Sequence, residues 1–166
     1  NSNVRDRKTV RDQKQVDAQF EWNGRIVACS ASMGGIDALT TLLSDFPSNC
    51  PPTIVALQAE PALVETFIKR LNTDLKCAVK AAKDGAALSQ GTIHIAADPE
   101  CHVVVEPGTP PRIRLIAREP IEGARPSANL LYGSIARGAV PAVGAVLTGM
   151  GSDGAKGLKL LRDAGC

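Results

Sequence analysis

The chain has 166 residues, of which 44% are hydrophobic but only 3% aromatic, and its formal net charge is +2. That is enough for one domain with a core of Val, Ile, Leu and Ala. The near-neutral charge and scarce stacking aromatics argue against a nucleic-acid partner, and no apolar stretch approaches the ~20 residues that insertion into a membrane needs.

In chain order, residues 1–23 read as a charged linker or tail, with a weak helix over Val10–Phe20. The whole +2 excess lies between Asn1 and Gln19. The folded domain is expected over 24–166. Arg25–Cys29 reads as a buried strand and Gly34–Leu43 as a helix. Thr53–Gln58 is a second buried strand and Pro61–Leu71 a second helix. The middle of the chain breaks into short strands at Ala78–Ala82, Thr92–Ala96, His102–Glu106 and Ile113–Ile116, separated by turn signals such as Asp84-Gly85 and Pro107-Gly108. Pro126–Gly138 returns to helix, Ala142–Leu147 to strand and Gly154–Ala164 to helix. Apolar strands alternating with amphipathic helices predict a three-layer αβα domain with a mostly parallel sheet and an antiparallel hairpin insertion. Cys29, Cys50, Cys77, Cys101 and Cys166 form no CxxC pair, so neither a disulfide framework nor a zinc site is signalled. They read as free thiols of a reducing cytoplasm.

In such sheets ligands bind beyond the carboxyl ends of the strands. Three features fall there: "SASMGGI" around Ser32, the turn Gln58-Ala59-Glu60-Pro61, and the loop from Thr148 to Gly154. Ser32 sits on a sharp strand-to-helix turn whose backbone amides can stabilise an oxyanion; on this motif alone a plain helix N-cap is the simpler reading. Asp153, between Gly151 and Gly154, can orient an imidazole or cap the following helix. The same glycine-rich loop could hold a phosphate, although it lacks a P-loop lysine. A base between serine and aspartate has only two histidine candidates. His94 lies in an apolar run and reads as structural; His102 opens a hydrophobic strand and is ambiguous.

Together "SASMGG", "LQAEP", "KAAKDGAALSQGTIHIA", "RPSANLL" and "LTGMGSDGAKGLKLLRDAG" resemble the catalytic domain of the chemotaxis protein-glutamate methylesterases, the CheB family, over Arg25–Cys166. The resemblance implies a cytoplasmic domain joined by a linker to an N-terminal receiver domain. It implies hydrolysis of glutamyl methyl esters, and deamidation of glutamines, on methyl-accepting chemoreceptors. The expected machinery is a Ser-His-Asp triad with no cofactor or metal. Ser32 takes the nucleophile's place, Asp153 the aspartate's, Met33, Gly34 and Gly35 the oxyanion turn, and Met150 the family methionine.

The departures are specific. The family reads Q-H-M-P where this chain reads Gln58-Ala59-Glu60-Pro61, so Ala59 stands where the general base belongs. The family reads G-A-S-T-G-G where Ser30 and Met33 occur here, which puts Ser30 as well as Met33 beside the expected site. The chain is also expected to be C-terminally truncated relative to the family. Without a base a serine hydroxyl is a poor nucleophile. The readings are therefore a binding or regulatory pseudoenzyme, or an active carboxylester hydrolase with a substitute base, His102 or Glu60.

Overall fold

The computed structural model describes residues 21–147. Five strands form one fully parallel sheet in the order β3-β4-β2-β1-β7: β1 (Ile26–Ser32), β2 (Thr53–Gln58), β3 (Ala78–Ala81), β4 (Thr92–Ala96) and β7 (Ala142–Val146). Strands β5 (Cys101–Glu106) and β6 (Arg112–Ala117) form a separate antiparallel hairpin. The helices are α1 (Ile36–Ser44), α2 (Pro61–Asp74) and α3 (Ala128–Arg137). This is the expected α/β architecture with its hairpin insertion. The expected helices at 10–20 and 154–164 lie outside the described residues.

Chain connectivity decides which face each element covers. The paths β1–α1–β2 and β2–α2–β3 both step the same way across the sheet. Right-handed crossovers then put α1 and α2 on the same face. There Leu39, Leu43 and Leu71 pack with Cys29, Ala31, Val55, Leu57, Ile93 and Ile95 in one buried cluster. The path from β4 to β7 runs back past β2 and β1, so the hairpin and α3 fall on the opposite face. Val103, Val105, Ile113, Leu131, Tyr132 and Ile135 cover Ile26, Ala28, Ile54 and Ala56 there.

Alternate residues of β1 therefore feed two cores, and both must be apolar. Alanines at 28, 31, 56 and 142 are fully buried, and their small size lets the covering layers sit close to the backbone. Tyr132 is the largest fully buried side chain.

Helix starts follow local chemistry. Pro61 begins α2, where a missing amide hydrogen costs nothing. Ser127 caps α3 by accepting from the Leu130 amide at 3.3 Å. The helix expected from Gly34 begins instead as a single 3₁₀ turn over Met33–Gly35, and α1 proper starts at Ile36. Two adjacent glycines are weak helix formers, so the regular helix waits for the first side chains that can pack.

Candidate functional site

Strands β1 and β2 run in register to their last residues, with Ser32 opposite Gln58. The chain then turns at Ser32 into the Met33–Gly35 helical turn, and at Ala59-Glu60 into α2. Ser32, Met33, Gly34, Gln58, Ala59, Glu60 and Pro61 consequently line one open depression at the carboxyl end of the sheet. Strand β7 flanks β1 on its other side, and the Leu147 amide donates to the Ser30 carbonyl at 2.9 Å. The chain thus leaves β7 alongside the strand that carries Ser32. Asp153 and Met150 lie outside the described residues.

Ser32 occupies the position before the 3₁₀ turn with an extended backbone (φ −108°, ψ −179°), but its side chain makes no capping bond. Among the described residues no hydrogen bond engages its hydroxyl. The amides of Met33, Gly34 and Gly35 lead directly into α1, where the helix dipole favours negative charge. Met33 is 38% exposed and lines two features: the Ser32 depression and a groove of about 390 Å³ between α1 and α2. Ala59 lines both as well. A side chain of any size at position 59 would stand at the junction of the two.

The structure corrects the placement of Ser30. It is not part of the turn: it lies inside β1, fully buried, between Ala56 and Val146. Its hydroxyl is 2.8 Å from the Tyr132 hydroxyl, which donates to the Ala145 carbonyl at 2.7 Å. With the tyrosine proton committed, Ser30 is the donor in its own bond. The polar group is thus absorbed by a tyrosine 102 positions away, which no local pattern announces.

Neither histidine stands beside Ser32. His94 is level in register with Ile54, itself level with Ala28. That places it about four residues, ~13 Å, short of the Ser32 level and two strands, ~10 Å, across. Both its ring nitrogens are buried without hydrogen-bond partners among the described residues. Burial, with a smaller contribution from Lys80, lowers its pKa from the usual value.

His102 is fully buried. Its Nδ1 accepts from the Ser127 amide at 2.9 Å, so the ring proton sits on Nε2, 2.8 Å from the Glu119 carbonyl that accepts it. Both nitrogens are occupied by backbone, and no lone pair is left for a serine hydroxyl. Glu60 is exposed on the rim of the depression and makes no capping bond to α2.

The motif "RPSANLL" proves to be scaffolding. Arg125 donates to the Pro99 and Arg118 carbonyls and pairs with Glu100. The Pro126 carbonyl accepts from Gln58 Nε2 at 3.3 Å. Ser127 both caps α3 and donates its amide to His102. Residues 125–127 thereby tie the end of β2 to the hairpin layer. From sequence His102 is a candidate base; its actual partners, two backbone groups from distant loops, leave no trace in the local pattern.

A doubly covered parallel sheet with a serine on a glycine-rich turn at a strand's carboxyl end belongs to the class of α/β domains that hold their ligand at that edge. The family model for CheB methylesterase matches residues 27–166, and the chain belongs to that family. A protein-glutamate methylesterase/protein-glutamine glutaminase of Rhizobium etli is 44% identical over 149 residues, covering 89% of this chain and 43% of that protein. A relative with the same description from Caulobacter vibrioides is 40% identical over 147 residues, 88% of this chain and 43% of its own length. The chain thus spans less than half the length of these curated relatives. The crystal structure of the Thermotoga maritima CheB methylesterase catalytic domain superposes with a TM-score of 0.79 at 26% identity, covering 87% of this chain and 77% of that one. Among the described residues no helix is long and apolar enough to cross a membrane.

Proposed function

We propose that this domain recognises the methyl-esterified or amidated glutamate region of a chemoreceptor at the Ser32 depression but hydrolyses it poorly. One observation carries the reading: Ser32 ends β1, Ala59 directly follows the adjacent β2, and both line the same depression, so the position beside the serine holds a methyl group where a base is required.

In a working triad the serine Oγ attacks the ester carbonyl as its proton passes to an imidazole, and an aspartate orients that imidazole. Here Ser32 supplies the hydroxyl, and the amides of the Met33–Gly35 turn face the developing oxyanion. Asp153 would hold an imidazole that position 59 lacks. Losing the histidine costs a serine hydrolase about 10⁶ in kcat. What remains, roughly 10³–10⁴ over water, comes from binding and oxyanion stabilisation. Substrate binding does not need the base and is expected to persist. The receptor-facing role, a receiver domain elsewhere in the protein and a cytoplasmic location are parts of this same reading.

Glu60 favours a second reading, because its carboxylate is a base-capable group on the rim of the same depression. In that case the domain is an active carboxylester hydrolase. The two separate in one experiment that follows both methanol release and binding of a methylated receptor peptide by the full-length protein. The first reading expects binding without turnover above the Ser32→Ala variant. Turnover that Ser32→Ala and Glu60→Gln each abolish would replace it with the second.

A further inference from the structure

Two cysteines that look unrelated in sequence meet at the amino-terminal end of the sheet, opposite the Ser32 depression. Cys50 lies in the connection from α1 to β2, and Cys77 in the connection from α2 to β3. They converge on one carbonyl: Pro47 O accepts from the Cys50 amide at 3.0 Å and from the Cys77 thiol at 2.9 Å. The two thiols are also hydrogen-bonded to each other. With the Cys77 proton directed at Pro47, Cys50 donates and the Cys77 sulfur accepts. Both side chains are buried, at 0% and 3% exposure, in the core cluster beneath α1 and α2. The Cys50 carbonyl is further pinned by the Gly91 amide at 2.7 Å, so the backbone around the pair is held from both sides.

We propose that Cys50 and Cys77 are an oxidisable pair that peroxide converts to an intramolecular disulfide, locking the far end of α2 to the entry of β2. A disulfide holds its sulfurs ~2.05 Å apart, and these two thiols are already in hydrogen-bond contact. The balance is simple. One thiol takes oxygen from hydrogen peroxide to become a sulfenic acid, releasing one water. The second sulfur attacks it, forming the S–S bond and releasing another water. Two thiol protons and two electrons leave the protein, and the peroxide is reduced.

Chemistry indicates what kind of device this is. The hydrogen bond to Cys77 and then burial push the Cys50 thiol well above the usual thiol range. A thiol that rarely ionises reacts slowly. The pair is therefore a slow structural lock that closes under sustained oxidation, not a rapid sensor. In a reducing compartment it stays open. Because it lies at the end of the sheet away from Ser32, closing it leaves the depression unchanged.

The test is to expose the full-length protein to hydrogen peroxide, alkylate remaining thiols in denaturant, and map cross-links by mass spectrometry. Cleavage before aspartate places Cys50 in the peptide 45–73 and Cys77 in 74–83, apart from Cys29 and Cys101. The expected product is these two peptides joined, two hydrogens lighter than their sum. Its formation should raise Tm by ~5–10 °C, reversed by dithiothreitol and absent in Cys77→Ser. Alkylated Cys50 and Cys77 after oxidation of the partly exposed Cys101, or cross-links scattered among all the cysteines, would overturn the proposal. The mapping is done on the unsubstituted chain, so it holds whether or not Cys77→Ser folds.

Discussion

Ser30 shows how a polar residue survives in the middle of a doubly covered strand. Its hydroxyl donates to Tyr132, and Tyr132 donates to the Ala145 carbonyl, so strands β1 and β7 are stitched together by a side chain from α3. Tyr132→Phe leaves the Ser30 hydroxyl buried without that partner and should cost about 1–3 kcal/mol in denaturant titrations. Adding Ser30→Ala to Tyr132→Phe should cost less than the two single changes summed, because the orphaned hydroxyl disappears with it. His102 obeys the same logic. Its removal by His102→Ala strands the Ser127 amide and the Glu119 carbonyl, at about 1–3 kcal/mol for each orphaned group, measurable as a fall in unfolding midpoint. These roles were not legible in the sequence, where Ser30 reads as a turn residue and His102 as an ambiguous base. Local spacing identifies a polar residue but not a bonding partner tens of residues away.

At the scale of elements the pattern was far more readable. Strand β2 matches its expected bounds, Thr53–Gln58, because an unbroken apolar run is fenced by Pro52 and Pro61. The hairpin was legible for a similar reason: two β-rich runs flank Pro107-Gly108. Strand β1 extends to Ser32, beyond the expected Cys29, since Ser30 and Ser32 look like turn residues until β2 and β7 supply ladder partners. Helix α1 carries the turn after Ser32, yet it buries only Leu39 and Leu43. So short an anchor makes each leucine weighty. Leu39→Ala should destabilise the protein by about 2–5 kcal/mol, and hydrogen exchange should rise first in the Met33–Ser44 segment, where anchoring is thinnest.

For the molecule as a whole, the parallel sheet does two things at once. It buries His94 at 6% exposure with no partner for either nitrogen among the described residues, and it sets Ser32 beside Ala59 at its carboxyl edge. The first has a pH consequence. Burial lowers the His94 pKa in the folded protein below its ordinary 6.5. The unfolded chain then binds the proton more readily, so the His94 contribution to stability is full above about pH 6.5 and is lost as pH falls through that value toward the lower folded pKa. Denaturation midpoints should drop across that interval, and His94→Leu should flatten the drop.

The second bears on the central proposal, that the Ser32 edge lacks its general base at position 59. Its most direct test is methanol release from a methylated receptor peptide by the full-length Ala59→His variant, run beside the unchanged protein and the Ala59→His, Ser32→Ala double variant. The account predicts that the imidazole at position 59 raises turnover by several orders of magnitude, within the roughly 10⁶ that such a base contributes, and that Ser32→Ala removes the gain. High turnover by the unchanged protein, with no gain from Ala59→His, would contradict it and show that another group already serves as the base.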